Sequence, residues 1–152
     1  MAPGGGRPVE PVEGPVAPGA DAPATAVLRS WDAARSRAFA AGDTDALRRL
    51  YVEGSPAGRS DVRLLRAYLR RGLRVEGMRM QVLALEVLDE RGRRLRLRVT
   101  DRLAGAVAVG PGARWPLPRD RASTRDVELR RDPAGEWQVR SVRESVPRRA
   151  GR

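Results

Sequence analysis

An α+β fold is what this sequence predicts, with three N-terminal helices packed on the concave face of a curved antiparallel sheet of about four strands. Three observations point to it. Apolar residues recur every three or four positions between Thr25 and Arg71. After Leu73 the recurrence changes to every second residue. Clusters of Gly, Pro and Asp then divide the remainder into strands joined by turns. The chain has 152 residues, a length suited to one domain that buries about two-thirds of its unfolded surface and needs neither disulfides nor a metal.

The first helix opens at Thr25 and carries Leu28, Trp31, Ala34, Ala38 and Ala41 on one face, with Gly42 placed to end it. Asp43 caps a short second helix whose apolar positions are Ala46, Leu47, Leu50 and Tyr51. Gly54-Ser55-Pro56 interrupts the pattern, and a third helix is predicted from about Ser60 to Arg71. Its apolar line is Val62, Leu65 and Leu69, flanked by Leu64 and Tyr68, with Gly72 as the stop. Arg63, Arg66 and Arg70 form its solvated stripe.

The first strand runs through Met78, Met80 and Val82, and Leu83, Leu85 and Val87 continue it in the opposite phase, so a bulge is expected near Val82. Asp89 to Gly92 makes a turn. In the second strand Leu95, Leu97, Val99, Leu103, Val107 and Val109 share one face, while Arg94, Arg96, Arg98, Thr100 and Arg102 share the other. Gly110 to about Ala122 reads as a loop. Val127 and Leu129 mark a third strand, Asp132-Pro133-Ala134-Gly135 a turn, and Trp137 with Val139 the start of a fourth.

Residues 1–24, rich in Pro and Gly, read as a disordered arm, residues 25–144 as the folded domain, and residues 145–152 as a basic disordered tail. The arm lacks the apolar stretch of a secretory signal. A cytoplasmic protein is expected if Met1 is the true start, and an exported or membrane-tethered one if an upstream signal is missing. The longest run of small apolar residues, Leu103 to Val109, is far shorter than the roughly 20 needed to cross a bilayer, so a soluble protein without a transmembrane segment is expected.

All 30 basic residues are Arg, against 19 Asp or Glu, and the formal charge is +11. There is no Cys and no His. That excludes a thiol nucleophile, a His-based triad and a thiolate or imidazole metal site, and leaves acid–base chemistry to Asp, Glu or Tyr. No cofactor and no metal are expected. Gly54-Ser55-Pro56-Ala57-Gly58 is no nucleophile elbow, because its Ser directly follows the first Gly and no His is present to activate it. The charge invites a nucleic-acid reading. An Arg-only cation set alongside abundant Ala, Gly, Pro and Val points instead to a GC-rich coding bias, and six aromatic residues offer little for base stacking.

The helix opening Leu28-Arg29-Ser30-Trp31, the Ala40-Ala41-Gly42-Asp43 junction, the Leu47 to Tyr51 helix and the bent meander resemble the nuclear-transport-factor-two-like superfamily, which includes ketosteroid isomerases and SnoaL-type polyketide cyclases. The resemblance spans about Thr25 to Val142 and implies a cone-shaped fold, often with a pocket between helices and sheet. Some members use inward Asp and Tyr for proton transfer, and others bind partners without catalysis. The stretches from Arg71 to Met80 and from Val99 to Gly105 also resemble a family of uncharacterised actinobacterial proteins, a likeness that implies no activity.

Asp101 falls on the apolar face of its strand between Val99 and Leu103, where a carboxylate must be paired, hydrogen-bonded or protonated. Arg125, in the inward phase of Val127 and Leu129, is its expected partner in an ion pair. The readings left open for Asp101 are a structural pair, a ligand-orienting group and a catalytic acid or base. Tyr51 and Tyr68 offer hydroxyls at a pocket rim, Trp31 and Met80 are core anchors or pocket lining, and Trp115 is an exposed contact or a lid. Arg94, Arg96, Arg98 and Arg102 form a ladder suited to a polyanion or an acidic partner, with Ala104, Ala106 and Ala108 leaving room for a homodimer contact. The leading expectation is a noncatalytic module that binds a small apolar or amphipathic ligand, or a protein partner. A proton-transfer isomerase or cyclase using Asp101 and an Arg-rich polyanion binder are the alternatives.

Overall fold

The computed structural model describes residues 22–145; the predicted arm up to residue 21 and the tail beyond residue 145 lie outside the described residues. Three helices, α1 (Ala22–Ala41), α2 (Thr44–Arg49) and α3 (Pro56–Arg70), precede five strands, β1 (Arg74–Arg91), β2 (Arg94–Gly110), β3 (Ala113–Pro116), β4 (Ser123–Arg131) and β5 (Trp137–Glu144). The sheet is antiparallel in the order β1-β2-β4-β5, with β3 paired to the end of β2. This is the predicted α+β cone, with one strand more than expected. No helix among the described residues is long and apolar enough to cross a membrane.

Helix starts lie earlier than the periodicity placed them. α1 begins at Ala22, because Pro23 fits the first turn, where no backbone N–H is needed, and Ala24 is already buried. α3 begins at Pro56 because Ser55 caps it, accepting from the Gly58 N–H, so the apparent interruption is a capped start. α2 ends before Tyr51. Leu50 and Val52 exchange backbone hydrogen bonds with Val139, and this bridge turns the Tyr51 ring into the interior. Gly58 makes room for that ring, since a Cβ there would lie 2.7 Å from the Cβ of Tyr51.

The bulge in β1 lies where it was expected: Val82 pairs with Asp101 and Ala84 with Thr100, leaving Leu83 as the extra residue. Leu83 is therefore exposed rather than part of the inward row, while Leu85 and Val87 pack on the core. A second irregularity at Gly77, with φ +65°, bends the other end of the strand. β2 follows this curvature and changes phase around Gly105. Ala106 and Ala108, expected on the outer face, are buried, and Val107 and Val109 are only half-buried, so these alanines offer no dimer surface. The predicted loop after Gly110 contains β3, in which Ala113 to Pro116 pairs back onto Gly110 to Val107.

The innermost side chains are Phe39, Leu47, Leu65, Leu97, Val99, Leu129 and Val139, all less than 2% exposed. They join helices and sheet into one core. At one place along the helix–sheet seam the core gives way to charged side chains.

Candidate functional site

A cavity of about 310 Å³ lies between α1, α3 and the concave sheet. Leu28 and Trp31 of α1, Val99 of β2, and Val139 and Val142 of β5 form its apolar wall. Asp32, Arg35, Asp61, Asp101 and Arg125 form its polar end. The helical repeat explains the α1 contribution, because Leu28, Asp32 and Arg35 project from one side at steps of four and three. Asp61 immediately precedes Val62 and lies four positions before Leu65, on the buried side of α3.

Two of the three carboxyl groups are tied to guanidinium groups. Arg35 grips Asp61 with two hydrogen bonds, Nε to Oδ2 at 2.6 Å and Nη2 to Oδ1 at 2.7 Å, while the Tyr51 hydroxyl donates to Oδ2 at 2.7 Å. Burial opposes the charge on Arg35, but the hydrogen bond and charge of Asp61 more than offset it and hold the guanidinium above its ordinary value. Burial and the nearby Asp61 charge push the Tyr51 phenol up as well, so Tyr51 is a neutral donor at any ordinary pH. Arg125 donates through Nη2 to both oxygens of Asp101, each at 2.8 Å, and its buried Nε has no partner among the described residues.

Asp32 is different. Its side chain lines the cavity and has no hydrogen-bond or ion-pair partner among the described residues. Desolvation, reinforced by the charge of Asp101 and only partly countered by Arg35 and Arg125, raises its pKa from 3.8 to about 6. It also lines a wider cleft of about 790 Å³ between α1 and β1, whose rim carries Arg29, Arg37 and Arg79. Met80 borders both spaces.

Of the residues the sequence singled out, Asp101, Arg125, Tyr51, Trp31 and Met80 come together around this cavity. The Trp31 indole N–H donates to the Leu50 carbonyl at 2.8 Å, and its ring meets Tyr51 edge-on at 5.3 Å. Tyr68 packs on the core outside the cavity, and Trp115 is 52% exposed on β3, bordering neither space. Asp32, Arg35 and Asp61 were not read from the sequence. A helical projection of Leu28 and Trp31 would have shown the first two beside them, and the Val62–Leu65 line would have shown Asp61.

The Arg ladder lies on the convex face, and three of its four members, all but Arg96, have partners alongside among the described residues. Arg94 meets Glu128 at 2.6 Å, Arg98 meets Asp126 at 3.0 Å, and Arg102 donates to the Gln81 side-chain oxygen at 2.7 Å. No grouping of acidic side chains suited to a metal ion occurs among the described residues.

No protein-family model matches the chain, and a search of curated proteins finds no match. Solved structures do match. A conserved protein from Planctomyces limnophilus superposes at TM-score 0.53 with 16% identity over 79% of this chain and 93% of its own. ActVI-ORFA from Streptomyces coelicolor superposes at 0.52 with 12% identity over 79% and 94%. A Catenulispora acidiphila protein, solved in complex with S-DNPA, superposes at 0.50 with 13% identity over 80% and 91%. The chain has the nuclear-transport-factor-two-like fold. The cavity just described lies in this fold between the helices and the concave sheet.

Proposed function

We propose that this protein is a small-molecule-binding cone module whose ligand, apolar or amphipathic, occupies the cavity between α1, α3 and the sheet. The observation that carries the reading is the make-up of the cavity: an apolar wall from Leu28, Trp31, Val99 and Val142 ending in a few convergent polar groups. Concave sites of this kind, about 300–1,000 Å³ and mostly apolar with a small polar set, are the usual form of ligand pockets. The Asp101–Arg125 pair serves to organise the polar end. The test is a backbone NMR titration with n-octanol. The expected shifts are confined to residues around the cavity and vanish in Val142→Trp, where an indole takes the space. Shifts scattered over the surface, or none, would falsify the reading.

Proton transfer is the second reading, and Asp32 rather than Asp101 favours it. Both Asp101 oxygens are occupied by Arg125, whereas Asp32 is unpaired, borders the cavity and is held near a pKa of 6, suited to moving a proton near neutral pH. A polyanion-binding convex face has less support, because Arg94 and Arg98 are matched there by Glu128 and Asp126.

A further inference from the structure

We propose that the cavity is built for a cationic amphipath, a protonated amine carried on an apolar body, with the Asp32 carboxylate as the group that receives the charge. This deepens the reading above and rests on it. The polar end holds three carboxyl groups and two guanidinium groups. Arg35 is committed to Asp61 and Arg125 to Asp101. One carboxyl therefore has no countercharge, in a chain with 30 Arg from which a partner might have been drawn. Asp32 is half-buried, and a carboxylate partly stripped of water with no partner is unfavourable; in a cavity wall the missing partner is supplied by what enters.

The charged groups around Asp32 divide by exposure. Arg35 and Asp61 from the helices, Asp101 from β2 and Arg125 from β4 are buried or half-buried and cancel one another, so with Asp32 the set carries one negative charge when every group is ionised. Arg29, Arg37 and Arg79 at the outer rim are exposed, so solvent and salt screen their repulsion of a cation over roughly 8 Å at physiological ionic strength. An anion entering the interior would find the Arg125 Nε without a partner, but it would meet guanidinium groups already neutralised by Asp61 and Asp101 and would face the uncompensated Asp32 itself. An ammonium group meets the reverse. Pairing also relieves the desolvation that raises the carboxyl to about 6, so ligand binding and proton binding at Asp32 compete.

The experiment measures affinities of n-octylammonium, n-octanol and n-octanoate by NMR titration or calorimetry at pH 7.5. The three share an apolar body and differ in charge. Octanol reports whether the cavity takes an apolar ligand at all, and the charged pair reports on Asp32. The ammonium is expected to bind on the order of tenfold more tightly than the alcohol, with the carboxylate weakest. Its affinity in the wild-type protein is expected to fall about tenfold between pH 7.5 and pH 5, as Asp32 takes up its proton with a pKa of about 6. In Asp32→Asn the ammonium is expected to lose its advantage over octanol. Octanol binding in the cavity together with an equal or weaker ammonium overturns the charge assignment and leaves the cavity reading intact. Preferred binding of octanoate also overturns it, and points to the Arg29, Arg37 and Arg79 rim. Absence of cavity binding by all three overturns both.

Discussion

Arg125 meets Asp101 on the concave side of β2 and β4, and Arg98 meets Asp126 on the convex side of the same two strands. The chemical pair is the same, but its surroundings differ. The Asp101 side chain is 5% exposed and that of Arg125 33%, against 42% for Arg98 and 30% for Asp126. In the wetter pair water screens the attraction, and either residue is resolvated when the other is lost. In the drier one, removal of a partner leaves a charge with nowhere to go. The sheet thus separates Arg side chains that keep its outer surface charged from those that shape an interior, and counting charges cannot tell the two apart.

That contrast is easiest to break at Asp61, which accepts two bonds from Arg35 and one from Tyr51. Asp61→Ala is expected to lower the unfolding free energy by about 3–5 kcal/mol, since it strands a buried guanidinium and a buried phenol. A loss below about 1 kcal/mol in chemical denaturation would place this pair with the surface ones. Asp101→Asn is expected to cost about 2–3 kcal/mol, less than Asp61→Ala because Arg125 keeps some access to solvent. Thermal unfolding across a salt series sharpens the comparison: the Asp101→Asn deficit should persist in high salt. Smallest of all is Arg98→Ala, whose unfolding midpoint should be indistinguishable from wild type, because both side chains reach water and solvent screens the ion pair. A clear drop there would mean that the convex pairs also hold the sheet together.

How far the sequence could be read follows the same division. Strict alternation in β2 puts Asp101 among Leu97, Val99 and Leu103, where a single carboxyl is conspicuous, and the two-residue period of β4 supplies Arg125 opposite. The order of three helices and a meander was legible for the same reason, as each element has a long regular period. Helical faces are broader. Asp32, Arg35 and Asp61 each sit at the edge of an apolar stripe, where a charged residue looks solvated until the neighbouring element is in place. Ala106 and Ala108 carried no signal, because a residue that small fits either face of a strand and only the bend at Gly77 and Gly105 decides. β3 was hidden because four residues, Ala113 to Pro116, with an exposed Trp and a terminal Pro, look like a turn. Composition predicted the charge but not that so much of the convex ladder is already matched across the strands.

The account depends most on Asp32, the carboxyl left without a partner. Its folded pKa of about 6 lies above the ordinary 3.8, so the fold favours the protonated form. That contribution to stability is fully present below about pH 4 and is lost as pH rises through about 6. At neutral pH the ionised Asp32 therefore lowers stability, by about 1–3 kcal/mol once partial exposure is allowed for. The deciding measurement is the unfolding free energy of wild type and Asp32→Asn between pH 4 and pH 8. The account predicts that the Asn variant is the more stable at pH 8 by that amount and that the two converge near pH 4, which marks a carboxylate retained for a ligand and not for the fold. An Asn variant that is less stable at pH 8 would contradict it and make Asp32 a structural residue with a partner of its own.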